Sequence, residues 1–291
     1  MKILSLLLAL ALMAGLFSGC TPAEPADIAA TTLPVYQFAS RICAGTGLTV
    51  TRLVTESVSC LHDYSLSVSQ VRAAESADVV ILSGAGLEGF MEDLLDSTDA
   101  IIDSSDGISL LTCEDGHDHQ GHSHHHETDS HIWLSPANAK VMAENILIGL
   151  SQKYPQFSQE FQNNYTELQK DLDALEAYGL EQLRELPCRE MVTFHDGFAY
   201  FAETFGLTIL EAVEEESGSE ASAHELIHLI GLVQENHLPA IFTEVNGSAS
   251  AAAILSAETG VPSFALDMAM GGEDYFQAMY HNIDTIREAL G

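Results

Sequence analysis

The amino-acid sequence predicts an α/β protein with two lobes, each built on a parallel sheet, joined by one long rigid helix. Strand-like and helical segments alternate in both halves of the chain, as they do in parallel sheets covered by helices. Residues 77–82 contain a continuous apolar run, which is typical of a strand buried on both faces. Between Pro155 and Pro187, apolar residues recur at helical spacing, which predicts an amphipathic helix about seven or eight turns long.

The first half of the chain supplies the N-terminal lobe, which we place at residues 28–153. Strands are predicted at residues 28–32, 48–55, 77–82 and 100–103. Helices are predicted at residues 34–44, 67–76, 87–95 and 136–152. The last of these begins at Ser135 and Pro136, because serine is a favoured N-cap and proline a favoured first helical residue.

The second half repeats this alternation after the linking helix, which we place at residues 154–187. Strands are predicted at residues 191–194, 207–213, 240–244 and 263–266. Helices are predicted at residues 198–205, 222–236, 248–259 and 273–290. These elements make a C-terminal lobe at residues 188–291.

The N-terminus has the pattern of a secretory signal. Lys2 precedes a short apolar run that ends at Phe17, so we predict a signal peptide at residues 1–19. Cys20 directly follows Ser-Gly, as in a bacterial lipobox, so we expect cleavage before Cys20 and lipidation of its sulfur; ordinary signal cleavage is the alternative. Residues 20–27, rich in proline and alanine, would then be a tether. The expected location is extracytoplasmic, at the outer face of the cell membrane.

Charge excludes two classes of partner. Ten basic residues stand against 43 acidic ones, for a formal net charge of −33. Nucleic acids and anionic lipid surfaces are bound through clustered Lys and Arg, so neither is an expected partner. We expect contact with the membrane through the lipid anchor alone.

The cysteines permit disulfides but do not define them. Cys43, Cys60, Cys113 and Cys188 remain after Cys20, and four cysteines allow three connectivities. None forms a C-x-x-C pair, so a cysteine-rich zinc site is not expected. Proximity in the chain favours Cys43 with Cys60.

A histidine-rich tract lies in the middle of the chain. Residues 113–130 form a polar, glycine-broken segment that predicts a mobile, metal-binding loop, with an internal tag as the weaker alternative. Its histidines are His117, His119, His122, His124, His125 and His126. His131 differs because it directly precedes the packable residues Ile132, Trp133 and Leu134. We therefore expect a mobile collector beside one rigidly held ligand.

Four candidate ligands follow predicted strands. His62 follows the second strand and His131 comes after the fourth, while His195 and Asp267 directly follow strands of the second half. Open α/β sheets place ligands at the carboxyl ends of their strands, so these side chains should meet in the cleft between the lobes. Three imidazoles and one carboxylate suit tetrahedral Zn²⁺. Taken singly, each has a structural alternative: a surface loop for His62, the core for His195 and a helix cap for Asp267.

The segment His224-Glu225-Leu226-Ile227-His228 matches the H-E-x-x-H signature of zinc proteases. Ser222 and Glu225 also fit a capping box, which is a structural reading of the same residues. Leu226, Ile230 and Val233 would form the buried stripe, which leaves both histidines facing solvent. A metalloprotease and an accessory surface zinc site both remain open.

Several segments together resemble a known family. A-T-T-L-P-V-Y-Q-F, L-H-D-Y-S-L-S, D-S-H-I-W-L-S-P, T-F-H-D-G-F-A-Y-F, F-T-E and T-G-V-P-S-F-A-L-D occur in the order and spacing of the metal-binding solute receptors of ABC importers. The chain resembles their zinc-specific branch, which carries a His-rich loop. The resemblance implies two (βα) lobes, one metal between them and delivery to a membrane permease.

Carried over by position, the resemblance implies the ligands His62, His131, His195 and Asp267, with Glu244 as a carboxylate partner behind them. The manganese branch typically has glutamate at the third ligand position, so His195 favours zinc. Leu61 stands where the family often has proline. The expected protein is a monomeric, lipid-anchored zinc receptor that does no bond chemistry. A manganese or iron receptor, and an adhesin or zinc buffer without a permease, remain alternatives.

Overall fold

The computed structural model describes residues 26–56, 61, 64–112, 128–212, 223–245, 247 and 249–291. Several predicted features lie outside these residues: the signal peptide, the lipidation site Cys20, Cys60, the candidate ligand His62, Cys113 with the His-rich loop, and Ser222. The described residues form two four-stranded parallel sheets with helices, which confirms the predicted fold class.

The N-terminal sheet contains four strands in the order β2-β1-β3-β4, all parallel. The strands are β1 (Ile28–Ala30), β2 (Val50–Arg52), β3 (Val79–Leu82) and β4 (Ile101–Asp103). The helices of this half are α1 (Leu33–Ile42), α2 (Val68–Ser76), α3 (Glu92–Leu95) and α4 (Pro136–Lys153). Each strand lies within its predicted range, and β3 is buried along its whole length.

One predicted helix of this half is wrong. Residues 87–95 do not form one α-helix but a 3-10 turn, Leu87–Met91, followed by α3. Glu88 has a non-helical backbone (φ −88°, ψ 26°) because its carboxylate turns back to accept hydrogen bonds from the Ser83 and Gly84 amides, at 2.7 and 3.0 Å. Pairing these buried amides outweighs continuing a regular helix.

The C-terminal sheet has the same topology as the N-terminal sheet. Its order is β6-β5-β7-β8, again all parallel. The strands are β5 (Glu190–Thr193), β6 (Thr208–Ala212), β7 (Ile241–Glu244) and β8 (Ser263–Leu266). The helices are α6 (Ala199–Phe205), α7 (Ala223–Glu235), α8 (Ala249–Thr259) and α9 (Tyr275–Leu290). Parallel order places the carboxyl ends of β5 and β7 side by side, where such sheets bind ligands.

A long helix lies between the two sheets in sequence. A 3-10 turn, Pro155–Phe157, leads into α5 (Ser158–Gln182), which has 25 residues. The predicted apolar stripe is buried, and α5 packs against α1 and α4 of the first half and α9 of the second. Its contact with α9 includes a hydrogen bond from the Tyr178 hydroxyl to Asp284 Oδ1 at 2.7 Å.

Buried hydrogen bonds join the two halves near the cleft. The Trp133 side chain is fully buried, and its Nε1 donates to the Met268 carbonyl at 2.7 Å. The Tyr275 hydroxyl donates to the Trp133 carbonyl at 2.8 Å. The 3-10 turn Ile132–Leu134 is therefore held by two residues that follow β8 in the sequence.

The described cysteines carry free thiols. Cys43 is buried and Cys188 partly buried, so the preferred pairing of Cys43 with Cys60 is wrong for this structure. Burial, followed by the charge of Asp27, raises the pKa of the Cys43 thiol to about 12. Among the residues described, no helix combines the length and apolar character needed to cross a membrane.

Candidate metal centre

His131 is held by the carboxylate of Asp129. The His131 backbone N–H donates to Asp129 Oδ1 at 2.8 Å, and its ring Nδ1 lies 2.8 Å from the same oxygen. An ionised carboxylate only accepts hydrogen bonds, so Nδ1 carries the proton and Nε2 presents a lone pair. Both side chains are buried, and the Tyr200 hydroxyl donates to the Asp129 carbonyl at 3.0 Å. The ring orientation and tautomer of His131 are thus fixed.

His195 is held in the same way by a different carboxylate. It follows β5 directly, and its Nδ1 lies 3.0 Å from Oε1 of Glu244, the last residue of β7. Glu244 is only 9% exposed. The two residues come together because β5 and β7 are neighbours in the sheet. Here too the carboxylate fixes Nδ1 as the donor, which places the ring lone pair on Nε2.

The Nε2 atoms of the two imidazole rings lie close together. His131 Nε2 and His195 Nε2 are 3.3 Å apart, and the rings are nearly perpendicular, at 88°. A hydrogen bond between them would require a proton on Nε2 as well as on Nδ1, and therefore a charged imidazolium. Zn–N bonds of about 2.0–2.1 Å at a tetrahedral angle place two ligand nitrogens about 3.3–3.4 Å apart. The observed separation fits two imidazoles that share one metal ion.

Gly197 allows this close approach. A Cβ at Gly197 would lie 2.6 Å from Met268 Cε, 2.7 Å from His195 Cδ2 and 3.1 Å from His131 Cε1. Any side chain there would displace at least one of the rings, because real Cβ atoms do not approach so closely. Only glycine therefore fits at this position without moving the neighbouring side chains.

Negative charge surrounds the two imidazoles. Burial, and then the charge of Asp129, raises the pKa of the Asp196 carboxyl, while His131 partly offsets this rise. Three carboxyl groups lie at the rings: Asp129 contacts His131, Glu244 contacts His195, and Asp196 directly follows His195 in the sequence. Such a field favours a bound cation over the empty cleft.

Asp267 is fixed at the carboxyl end of β8. Its backbone N–H donates to Asn282 Oδ1, and Asn282 Nδ2 donates back to its carbonyl, both at 2.7 Å. Its carboxylate Oδ1 accepts from the Ala269 amide at 2.8 Å. No group of three or more His, Cys, Asp or Glu side chains placed to hold a metal occurs within the described ranges. The structure thus brings together His131, His195 and Glu244, but not the Asp267 carboxylate, and His62 lies outside those ranges.

A family model described as zinc-uptake complex component A, periplasmic (ZnuA), matches residues 28–289. This chain belongs to the ZnuA family. The zinc-binding lipoprotein AdcA of Streptococcus pneumoniae (strain ATCC BAA-255 / R6) is 32% identical over 311 aligned residues, which cover 99% of this chain and 61% of that protein. The chain therefore spans about three-fifths of the length of this curated relative.

Two further comparisons bear on the metal. The crystal structure of the Zn(II)-bound ZnuA-like domain of Streptococcus pneumoniae AdcA superposes with a TM-score of 0.77 at 27% identity, over 92% of this chain and 99% of that chain. The manganese-binding lipoprotein MntA of Bacillus subtilis (strain 168) is also 27% identical, over 94% of this chain and 92% of that protein. This chain is thus similar to proteins named for different metals.

The sequence interpretation missed one partner in this ZnuA-family chain. Asp129 lies within residues 113–130, which are assigned to a polar loop from the sequence without a role for this residue. The available signal was its spacing: an Asp two residues before another residue accepts that residue's backbone N–H in an Asx-turn. In Asp129-Ser130-His131 this turn also presents the carboxylate to the ring.

The H-E-x-x-H segment lies apart from the cleft, on α7. Its two histidines are exposed, as predicted, but the buried residues of α7 are Leu229 and Val233, while Leu226 and Ile230 are only partly buried. The predicted stripe of Leu226, Ile230 and Val233 does pack against the core, and Leu229, which was not predicted, is buried beside it. His228 Nε2 lies 3.6 Å from Oε2 of Glu211 on β6.

Proposed function

We propose that this protein is an extracytoplasmic receptor that binds Zn²⁺ between its lobes and delivers it to an ABC-type permease. The observation that carries the proposal is the 3.3 Å separation of His131 Nε2 and His195 Nε2. This separation fits two imidazole nitrogens that coordinate the same zinc ion. Membership of the ZnuA family and similarity to a zinc-binding lipoprotein support the same metal.

The ligand set is His131 and His195 together with His62 and Asp267. Glu244 and Asp129 act behind the histidines: each holds a ring in the tautomer that presents Nε2 and increases its basicity. Asp267 follows a strand of the same sheet as His195, and its backbone is held by Asn282.

Four protein ligands would close a tetrahedral coordination sphere. A closed sphere leaves no position for an activated water, so we assign this protein no bond chemistry. The lobes are those at residues 28–153 and 188–291, linked by residues 154–187. Cys20 would carry the lipid anchor, residues 113–130 would collect zinc, and the receptor would act as a monomer.

Manganese is the second candidate cargo, favoured by the similarity to MntA over most of both chains. The chemistry of the donor set opposes it. Manganese prefers oxygen ligands, whereas imidazole suits zinc. With three nitrogens and one oxygen, the proposed set should prefer zinc.

The test is a zinc titration of the mature protein beside a variant that lacks residues 116–127 and beside His195→Ala. We expect one tight zinc that survives the loop deletion, weak extra sites that the deletion removes, and loss of the tight site in His195→Ala. Competition with excess Mn²⁺ should leave the tight zinc in place. Loss of tight binding with the loop alone would contradict the cleft site.

Delivery requires a cellular measurement. Uptake of radioactive zinc by cells that lack this gene should be restored by the wild-type gene and not by His195→Ala. Equal restoration by both would contradict the receptor role, even if the purified protein binds zinc.

A further inference from the structure

Two histidines that the cleft does not use lie on the outer face of α7. His224 and His228 are four residues apart, and both are exposed. Residues at this spacing share one face of a helix, with their Cβ atoms about 5–6 Å apart. Two imidazoles so placed can reach a single metal ion, which is the geometry that the H-E-x-x-H spacing creates.

The neighbouring strand adds a carboxylate to this pair. Glu211 on β6 places its Oε2 3.6 Å from His228 Nε2, with 28% of the Glu211 side chain and 48% of the His228 side chain exposed. This separation is too long for an N–H···O hydrogen bond. It is close to the roughly 3.3–3.4 Å between two donor atoms on one tetrahedral zinc. Small side-chain rotations close the difference.

We propose that His224, His228 and Glu211 form a second transition-metal site, exposed to solvent and separate from the cleft. Two imidazoles and one carboxylate would bind Zn²⁺ or a similar divalent ion, with water at the fourth position. No complete three-ligand group is already assembled in the described part of the chain, so His224 must rotate into place as the ion binds. That ordering makes this site weaker than the cleft.

The proposal concerns binding and not peptide hydrolysis. Zinc hydrolases supply a dry, shaped cavity around the activated water, whereas this face of α7 is open to solvent. The buried side of the helix, with Leu229 and Val233, packs into the core of the C-terminal lobe. None of the three residues of this site belongs to the proposed cleft site, so the two proposals can be tested separately.

The experiment uses the full chain with the six loop histidines, His117 to His126, replaced by asparagine. One equivalent of Zn²⁺ is added first, and further zinc is then followed by calorimetry and counted by equilibrium dialysis. We expect one further, weaker equivalent. A partner behind a ligand is itself worth about 10–100-fold in affinity, so loss of a ligand in His224→Asn or His228→Asn should weaken this equivalent at least tenfold.

Two more variants sharpen the assignment. Glu211→Gln keeps the shape of the side chain but offers a poorer ligand, so it should also weaken the second equivalent. His237→Asn is the matched control: His237 is exposed just beyond α7 with φ 53°, a conformation that asparagine tolerates. Unchanged binding in both α7 histidine variants would overturn the site. Unchanged binding in Glu211→Gln alone would overturn the three-ligand assignment.

Discussion

Glu244 Oε1 lies 3.0 Å from His195 Nδ1, at the point where β7 ends beside β5. The same relationship recurs at His131, whose Nδ1 lies 2.8 Å from Asp129 Oδ1. Each imidazole at the centre of the cleft is thus held from behind by its own buried carboxylate. The two carboxylates come from opposite sides of α5 in the sequence, so the pair of rings joins the halves of the chain.

Glu244→Gln tests this orientation directly. Glutamine keeps the size of the side chain, but its neutral amide holds the His195 ring less firmly and does not raise its basicity. We expect the affinity of the tight zinc to fall about 10–100-fold, the usual cost of losing a partner behind a ligand. Competition with a chelator of known affinity measures it. Glu235→Gln, on the exposed end of α7, is the control; equal affinity in both variants would show that Glu244 does not orient a ligand.

Gly197→Ala should separate metal binding from folding. The added Cβ would lie 2.6 Å from Met268 Cε and 2.7 Å from His195 Cδ2, so the ring must shift. We expect weaker zinc binding, because the two Nε2 atoms no longer sit at the ligand separation. Met268→Ala on the same background should restore part of the affinity by giving the Cβ room.

Gly89→Ala is the matched control for that variant, since nothing lies within 4 Å of a Cβ at Gly89. Chelator competition gives the affinities, and thermal unfolding without metal shows that each variant is folded. Unchanged zinc affinity in Gly197→Ala would contradict the claim that a Cβ at this position displaces the imidazole rings.

The sequence was sufficient to predict both sheets because their strands are short, rich in apolar and β-branched residues and separated by helical segments. Parallel order then brings His195 and Glu244 together, although they are 49 positions apart by number (244 − 195). The break in residues 87–95 was not predictable, because it depends on a buried carboxylate that reaches back to amides in a loop. Local periodicity carries no information about that contact. The roles of His62, His131, His195 and Asp267 as ligands stay predictions.

Tyr275→Phe should weaken the contact between the halves. The Tyr275 hydroxyl, which is fully buried, donates to the Trp133 carbonyl at 2.8 Å. Phenylalanine leaves that carbonyl without this donor, at a cost of about 1–3 kcal/mol in the free energy of unfolding. Urea denaturation in the presence of a chelator measures it, with the partly buried Tyr36→Phe as control. Equal stability of the two variants would mean that another group replaces the lost hydrogen bond.

Glu88 should make the stability of the protein depend on pH. Burial raises the pKa of its carboxyl from 4.5 to about 7, although hydrogen bonds from Thr31, Ser83 and Gly84 oppose the rise. Because the folded pKa exceeds the unfolded one, the folded state holds the proton more tightly. The resulting stabilisation is fully present below pH 4.5 and is lost as the pH rises through about 7.

Glu88→Gln removes this titration while keeping the hydrogen bonds that one oxygen accepts. Below pH 4.5, where the wild-type carboxyl is protonated, Glu88→Gln should be less stable than the wild type by about 1–3 kcal/mol, since its amide nitrogen cannot accept from the Gly84 N–H. As the pH rises from 4.5 to 7, the wild type should lose stability relative to Glu88→Gln, because only the wild type carries the titrating carboxyl. Urea unfolding of both proteins across that range measures it, and a difference that stays constant with pH would show that Glu88 does not titrate there.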